Sequence, residues 1–135
     1  MQISAEPQIL HFPSFGTTIQ GFLTVAEHQK HIPFAVERVY WIYHIPHKLD
    51  RGGHAHRSLY QVLIAVAGTV IIELESLDGT KQTFTLDNPE MGLLLPPPYW
   101  HTMQFSHTAV LVCLASAAYN EEDYIRDYGE FKAGA

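Results

Sequence analysis

Hydrophobic and polar positions alternate in short runs along most of this chain. Apolar, β-branched and aromatic residues are concentrated in residues 34–45, 60–66, 69–77, 80–86, 92–95, 102–106 and 110–115. Runs of this length and composition suit a pleated and partly buried surface better than a helix. The pattern therefore predicts a β-strand for each of them.

Turn residues separate these predicted strands at intervals of about 8 to 12 positions, which is typical of an antiparallel sandwich or barrel. The separating pairs include Ala67-Gly68, Asp78-Gly79 and Asn88-Pro89. An Asp-Gly pair between two strand-like runs is one of the strongest local signals for a hairpin. We therefore predict an all-β jelly-roll barrel whose interior is wide enough for one small ligand.

The C-terminal stretch differs from the rest of the chain. Residues 121–132 have a helical pattern, and Asn120 is a suitable N-cap before the acidic first turn. A short C-terminal helix is therefore predicted. Three aromatic side chains are expected to pin it to the barrel: Tyr124, Tyr128 and Phe131.

Composition narrows the possible functions. A length of 135 residues suits one domain, residues 1–135. The 14 acidic residues outnumber the 8 basic ones, which argues against broad contact with a nucleic acid. The sequence has neither a leader pattern nor an apolar stretch of about 18 residues, so we expect no membrane contact and a cytoplasmic location. Cys113 lies in an apolar run and is expected to be an inert core thiol.

The segment from Arg51 to His56 has the most informative pattern of side chains. Its sequence is Arg-Gly-Gly-His-Ala-His. On an extended chain, side chains at positions i and i+2 leave the same face, about 6.5–7 Å apart, so His54 and His56 should point together while Ala55 faces away. Two imidazoles on one face are costly unless a site uses them, whereas either one alone is more often structural.

Gln61 and a later proline-rich segment, Pro96 to His101, complete a larger pattern. Together with the histidine pair they resemble the two-part signature of the cupins, in which His-x-His, a glutamate and a later histidine converge inside the barrel. Here Gln61 occupies the glutamate position, and Pro98 occupies a glycine position. A metal ion would therefore have to rely on His54, His56 and His101 alone, because a neutral amide is a weak ligand.

The sequence also resembles one cupin subfamily, the nucleotide-sugar 3,4-ketoisomerases, which act on dTDP-4-keto-6-deoxyglucose. The resemblance extends over residues 32–131 and is carried by segments 32–34, 38–43, 51–56, 61–64, 96–101 and 122–128. It implies a jelly roll, a homodimer with exchanged N-terminal strands, and catalysis with no metal or other cofactor. It also implies that His54 and His56 carry out the proton transfers.

Moving a ketone from C4 to C3 needs acid and base groups beside adjacent carbons, and imidazoles can serve in either role. An enediolate and a diphosphate would both need cations or hydrogen-bond donors. Seven residues are candidates for substrate binding: Arg51, Gln20, Arg38, Tyr43, Gln61, Trp100 and His101. Gln20 occupies a position where the family usually has an arginine, so one contact with the substrate is expected to be weaker. Trp41 is expected to pack in the core.

Three functions remain open from the sequence. The first is a metal-free ketoisomerase acting on a dTDP-linked sugar in deoxy- or amino-sugar biosynthesis. The second is a metal-dependent cupin enzyme that uses the three histidines. The third is a binding module that recognises a nucleotide sugar without converting it.

Overall fold

A computed structural model describes residues 2–46 and 49–134. Its strands form two five-stranded antiparallel sheets and one separate hairpin. The first sheet has the order β1-β9-β6-β11-β4 and contains β1 (Gln8–His11), β4 (Arg38–Tyr43), β6 (Gln61–Ala67), β9 (Met91–Leu95) and β11 (Val110–Ala115). The second has the order β12-β5-β10-β7-β8 and contains β5 (Asp50–His56), β7 (Val70–Glu75), β8 (Lys81–Leu86), β10 (Trp100–Phe105) and β12 (Tyr124–Ile125).

The two sheets pack their apolar faces together, and this confirms the predicted jelly roll. Alternate residues of β11 point inward, so Leu111, Cys113 and Ala115 are buried. Burial raises the pKa of the Cys113 thiol to about 12, as expected of an unreactive core residue. The other strand residues of this core come from both sheets: Leu63, Ala65, Val70, Ile72, Leu74, Leu86, Leu93, Leu95, Met103 and Phe105.

A second apolar cluster covers part of the outer face of the first sheet. Phe12, Ile32 and Phe34 come from the N-terminal third of the chain and pack on Val62, Ile64 and Leu94. Trp41 does not join either cluster. It points outward from β4 and is 60% exposed, so the prediction that it packs in the core was wrong. The reason is the alternation along β4, where Tyr40 and Ile42 face inward and Trp41 faces outward.

The N-terminal hairpin is formed by β2 (Ser14–Thr17) and β3 (Gly21–Thr24). Within the described residues these two strands pair only with each other. Four large apolar side chains of the hairpin are more than half exposed: Phe15, Ile19, Phe22 and Leu23. The N-terminal hairpin therefore lies outside both apolar clusters.

The C-terminal tail, residues 119–134, contains three short elements where the sequence predicted one helix. A 3-10 turn (Glu121–Asp123) is capped by Asn120, as predicted, and is followed by β12 and then by α1 (Tyr128–Lys132). The predicted helix is interrupted because Tyr124 and Ile125 pair with His56 and Ala55 of β5. Phe131 and Tyr128 do anchor the helix, since Phe131 is fully buried and the Tyr128 hydroxyl donates to Glu75 Oε2 at 2.7 Å.

None of the helices in residues 2–46 and 49–134 is long and apolar enough to cross a membrane.

Candidate active site

Three imidazoles meet at one end of the barrel. His54 and His56 are two residues apart on β5, and His101 lies opposite His54 on the neighbouring strand β10. The ring centroids are 5.0 Å apart for His54 and His56, 4.4 Å for His54 and His101, and 6.1 Å for His56 and His101. Ala55, between the paired histidines, faces the opposite way and packs against Ile125 and Phe131. The alternation of β5 therefore brings the imidazoles together.

The glycines before the histidine pair shape β5 at this point. Gly52 has φ +98° and Gly53 has φ +73°, a backbone region that favours glycine. A Cβ atom at position 52 would lie 2.9 Å from the carbonyl oxygen of His101. Gly52 therefore allows β5 to approach β10 closely beside the cluster. His101 keeps its place opposite His54 although proline replaces glycine at position 98.

The C-terminal tail covers the imidazoles. Tyr124 pairs with His56 in the β12–β5 ladder, and its ring centroid lies 4.4 Å from that of His56 and 5.1 Å from that of His54. The guanidinium of Arg126 lies 4.3 Å from the centre of the Tyr124 ring. Arg126 is held there by Glu121, with Nε–Oε1 at 2.5 Å and Nη2–Oε2 at 2.9 Å. The tail was expected only to pin a helix, but Tyr124 forms a wall of the site.

Burial keeps the three imidazoles uncharged near neutral pH. It lowers the pKa of His54 and of His56 to about 4 each, and the proximity of other imidazoles lowers them further. The pKa of His101, the most deeply buried of the three rings, is lowered to about 3 by the same cause. Neutral imidazoles have a lone pair on one nitrogen and a proton on the other, so each can accept or donate a hydrogen bond.

A cavity of about 450 Å³ opens beside the cluster. His54 and His101 lie in its wall, together with Arg51, whereas His56, which is 4% exposed, does not line this cavity. The other lining residues are Tyr40, Ile42, Asp50, Gly52, Met103, Tyr124 and Arg126. A smaller cavity of about 60 Å³ adjoins His56 on the side of Arg38 and Asp123. The larger cavity is wide enough for the sugar end of a ligand.

Two of the predicted binding residues support the site from β4 and β6. The buried side chain of Gln61 accepts a hydrogen bond from the Tyr40 hydroxyl through its amide oxygen, and Tyr40 lines the larger cavity. The guanidinium of Arg38 lies 5.2 Å from the centre of the Tyr40 ring, on the side of the smaller cavity. Gln61 therefore reaches the site only through Tyr40.

Three other predicted binding residues do not reach this site. Tyr43 points outward from β4, because its position has the opposite parity to Tyr40 and Arg38. Trp100 precedes His101 on β10, so it faces the other way and packs on Tyr128 and Phe131. Gln20 lies in the exposed turn of the N-terminal hairpin, where its backbone N–H donates to Thr17 Oγ1.

Asp123, Tyr124 and Arg126 were not predicted from the sequence as site residues. Asp123 Oδ2 lies 3.2 Å from Nδ1 of His56, although 67 positions separate the two residues. The pairing of β12 with β5 brings the two residues together. Segment 122–128 was one of the segments that carried the family resemblance, and this was the one signal that could have directed attention to these residues.

The donor atoms of the cluster also fit a metal ion. One ring nitrogen from each of His54, His56 and His101 lies within 4.8 Å of the others. Three neutral imidazoles can bind zinc and similar ions. The position that carries a carboxylate in the two-part signature is Gln61, whose amide oxygen is already bonded to Tyr40. The site could therefore hold an ion through three histidines, with no carboxylate from that position.

An antiparallel barrel with a His-x-His strand facing a third histidine from its neighbour defines a cupin. Comparison with known proteins gives the family. Residues 5–135 match the family model described as FdtA: WxcM-like, C-terminal. The chain therefore belongs to this family.

Relatives of known structure or function support this assignment. The chain is 44% identical over 115 residues to the TDP-4-oxo-6-deoxy-alpha-D-glucose-3,4-oxoisomerase of Aneurinibacillus thermoaerophilus, covering 84% of this chain and 81% of that relative. It is 35% identical to QdtA, a sugar 3,4-ketoisomerase from Thermoanaerobacterium thermosaccharolyticum in complex with TDP, with a TM-score of 0.90 over 96% of this chain and 93% of that one. A mutant of QdtA in complex with TDP-4-keto-6-deoxyglucose has a TM-score of 0.91 at 34% identity, over 98% and 96% of the two chains.

Proposed function

We propose that the protein is a sugar 3,4-ketoisomerase that moves the carbonyl group of a TDP-linked 4-keto-6-deoxyhexose from C4 to C3. The related oxoisomerase and the complexes of QdtA with TDP and with TDP-4-keto-6-deoxyglucose support this substrate class. The observation that carries the proposal is the cluster of uncharged imidazoles beside a cavity of about 450 Å³.

The chemistry explains why uncharged imidazoles are suitable. The C3–H bond breaks, and its electron pair forms an enediolate with the C4 carbonyl group. A proton then bonds to C4, while the hydroxyl proton of O3 is lost and O4 gains one. Every step needs a group that accepts a proton and returns it, and a neutral imidazole does this without first losing a proton itself. We assign these transfers to His54 and His56, with His101 as a hydrogen-bonding partner of the developing oxyanion.

The arginine side chains at the cavity are suited to bind the diphosphate group of a nucleotide sugar. Arg51 and Arg126 line the same cavity as His54. Arg51 forms no ion pair within residues 2–46 and 49–134, so its guanidinium is available to phosphate oxygens, whereas Arg126 is already paired with Glu121. Planar guanidinium groups bind phosphate oxygens through two parallel hydrogen bonds. We therefore assign the diphosphate to Arg51 and the support of the Tyr124 wall to Arg126.

A homodimer with exchanged N-terminal hairpins would bury apolar surfaces that are exposed in one chain. The hairpin exposes four large apolar side chains, and Val39, Trp41 and Tyr43 are exposed on the outer face of β4. An isolated two-stranded hairpin is at best marginally stable in water. In such a dimer the hairpin turn would carry Gln20 toward the partner's cavity. The same exchange would cover the apolar face of β4.

Incubation of the purified protein with TDP-4-keto-6-deoxyglucose tests the proposed function. NMR spectroscopy should show loss of the 4-keto signals and appearance of a TDP-linked 3-keto-6-deoxyhexose. With His54→Asn the rate should fall by about 10²–10⁴-fold, because a general acid–base group is lost. The matched control is His107→Asn, which changes an exposed imidazole outside the cluster and should keep the wild-type rate.

Two outcomes would favour the other functions. Binding of TDP without conversion of any keto-sugar would indicate a binding module. Activity that disappears on dialysis against a chelator and returns with one divalent ion would indicate a metal-dependent enzyme. Family membership and the 44% identity to an oxoisomerase favour the ketoisomerase over both.

A further inference from the structure

Four side chains of the C-terminal tail contact one another in a closed ring beside the larger cavity. The Tyr119 hydroxyl donates a hydrogen bond to Glu121 Oε2. Arg126 donates two more to Glu121, from Nε to Oε1 at 2.5 Å and from Nη2 to Oε2 at 2.9 Å. The guanidinium of Arg126 lies 4.3 Å from the centre of the Tyr124 ring, and the centroids of the Tyr124 and Tyr119 rings are 5.7 Å apart. We call these four side chains the tail ring.

The tail ring has one half in the cavity wall and one half outside it. Tyr124 and Arg126 line the cavity of about 450 Å³, whereas Tyr119 and Glu121 are not among the described residues that line it. The side chain of Glu121 is 54% exposed, and Tyr119 is also more than half exposed. Glu121 therefore makes no direct contact with a ligand in that cavity and acts on it through Arg126 and Tyr124.

The backbone alone does not determine where the Tyr124 side chain points. Strand β12 has two residues, and the 3-10 turn before it has three, so the Tyr124 ring can adopt more than one staggered rotamer. A guanidinium over the ring favours one of them. The two parallel hydrogen bonds to Glu121 hold that guanidinium in place, and this bidentate geometry distinguishes the pair from an ordinary surface ion pair. Hydrogen bonds from Arg126 and Tyr119 lower the pKa of Glu121 to about 2, so its carboxylate is charged at neutral pH.

We propose that Glu121 is a positioning residue for the active site: it holds the Arg126 guanidinium against the Tyr124 ring, which then stays over the histidine pair. This role rests on the proposed ketoisomerase function. The Tyr124 ring centroid lies 4.4 Å from that of His56 and 5.1 Å from that of His54, so a ring that swung away would admit water to both imidazoles. Groups that stabilise an enediolate act more strongly where water is excluded.

A double-mutant cycle on turnover tests the coupling between Glu121 and Arg126. With TDP-4-keto-6-deoxyglucose, Glu121→Ala should lower kcat by about tenfold and change KM by less than about threefold, because part of the cavity wall is misplaced. Arg126→Met should cause a similar loss, and the double variant should lose no more than either single one, because both act through the same contact. The matched control is Glu130→Ala, which removes another tail carboxylate, 50% exposed and 3.4 Å from Arg57, outside the cavity wall. It should keep the wild-type kcat.

A second measurement follows the position of Tyr124 without turnover. Diethyl pyrocarbonate modifies accessible imidazoles, and mass spectrometry gives the rate at each histidine. His56 is 4% exposed and should react slowly in wild type. In Glu121→Ala and Arg126→Met its rate should rise by about fivefold, because the wall opens more often when a charge-assisted pair is lost. Exposed His107 serves as the internal reference. Urea unfolding should give nearly equal midpoints for all the variants, which shows that the opening is local.

The results separate the possible roles of the tail ring. A full kcat in Glu121→Ala, an unchanged modification rate of His56, or single losses that multiply in the double variant would each refute the positioning role. A tenfold or larger rise in KM with an unchanged kcat in Arg126→Met would make Arg126 a phosphate ligand and refute it as well. If Glu121→Ala does not fold, Glu121→Gln keeps one acceptor without the charge and should lower kcat by about threefold, and no loss would count against the proposal. Absence of turnover in wild type would defeat the proposed function, while the modification rates alone would still decide the role of Glu121.

Discussion

The C-terminal tail and the N-terminal hairpin both lie outside the barrel, but they relate to it in opposite ways. The tail pairs with β5, buries Phe131 completely and bonds to Glu75 through Tyr128 and Lys132. The hairpin pairs only with itself within the described residues and exposes Phe15, Ile19, Phe22 and Leu23. The tail is therefore part of this chain's own site, whereas the apolar surface of the hairpin is the kind that a partner covers.

The largest expected effect is on the free energy of unfolding at low pH, because the C-terminal tail covers the imidazoles. Unfolded imidazoles bind a proton near pH 6.5, whereas burial lowers the pKa of His54 and His56 to about 4. Between these values the unfolded chain holds more protons, so the free energy of unfolding should fall as the pH is lowered from 6.5 to 4. The expected slope is about 1.4 kcal/mol per pH unit for each such imidazole.

Urea unfolding at several pH values measures this slope, and His54→Asn should reduce it. If the variant and the wild type had equal slopes, His54 would not be held neutral in the folded protein, and the tail would not shield its imidazole from water.

Phe131→Ala should weaken the attachment of the tail strongly. The side chain is fully buried against Ala55, Ile125 and Trp100, so its loss should lower the free energy of unfolding by about 3–5 kcal/mol. Tyr128→Phe, which removes only the hydroxyl bonded to Glu75, should cost clearly less. Denaturant titrations compare the two variants. A loss of less than about 1 kcal/mol for Phe131→Ala would show that the tail is held by other contacts.

Phe22→Asp should act on assembly and leave the barrel intact. Phe22 is 64% exposed on the hairpin, so in one isolated chain the substitution affects no core contact. In a dimer that buries this surface, a buried unpaired carboxylate should raise the dissociation constant by at least tenfold. Sedimentation velocity measures the change, with Thr85→Asp on the exposed face of β8 as the charge-matched control. A wild-type monomer would remove the proposed exchange.

Gln20 should have the smallest effect. If the exchanged hairpin carries Gln20 to the partner's cavity, Gln20→Ala should raise KM by about two- to fivefold through the loss of one neutral hydrogen bond, and Gln20→Arg should lower KM because a charged donor bonds more strongly. Steady-state kinetics with the TDP-sugar, beside Thr18→Ala as control, measures both. Equal KM values for all three variants would place Gln20 away from the substrate.

The strands that could be predicted from the sequence are those with a clear local pattern. Residues 110–115 were predicted as a strand and form β11 with the same ends. The four-residue strands β1, β2 and β3 have too few positions for an apolar pattern to emerge. The tail was predicted as one helix because its sequence begins with a suitable N-cap residue and an acidic first turn. Its pairing with β5 has no local signal, because it depends on residues that are distant in the sequence.

The site residues show the same difference between features with a local sequence pattern and features that depend on distant contacts. The clustering of His54 and His56 follows from strand alternation, and His101 was found through its motif. Asp123 was missed because no local pattern connects it to His56. The placement of Trp100 and Tyr43 away from the site could have been predicted from strand alternation. On a regular strand Trp100 cannot share a face with His101, and Tyr43 cannot share a face with Tyr40. The catalytic and binding roles of all these residues stay predictions until the experiments above are done.

The pairing of β12 with β5 has a consequence for variation in this chain. Tyr124 and Ile125 satisfy the hydrogen-bonding edge of β5 at the position of His56 and Ala55, and an open edge there would invite pairing with other molecules. The two-residue strand β12 thus protects this edge from aggregation, and its first residue, Tyr124, also encloses the imidazoles. Selection for solubility and selection for turnover therefore both act on Tyr124, so a library randomised at this position should rarely separate the two properties.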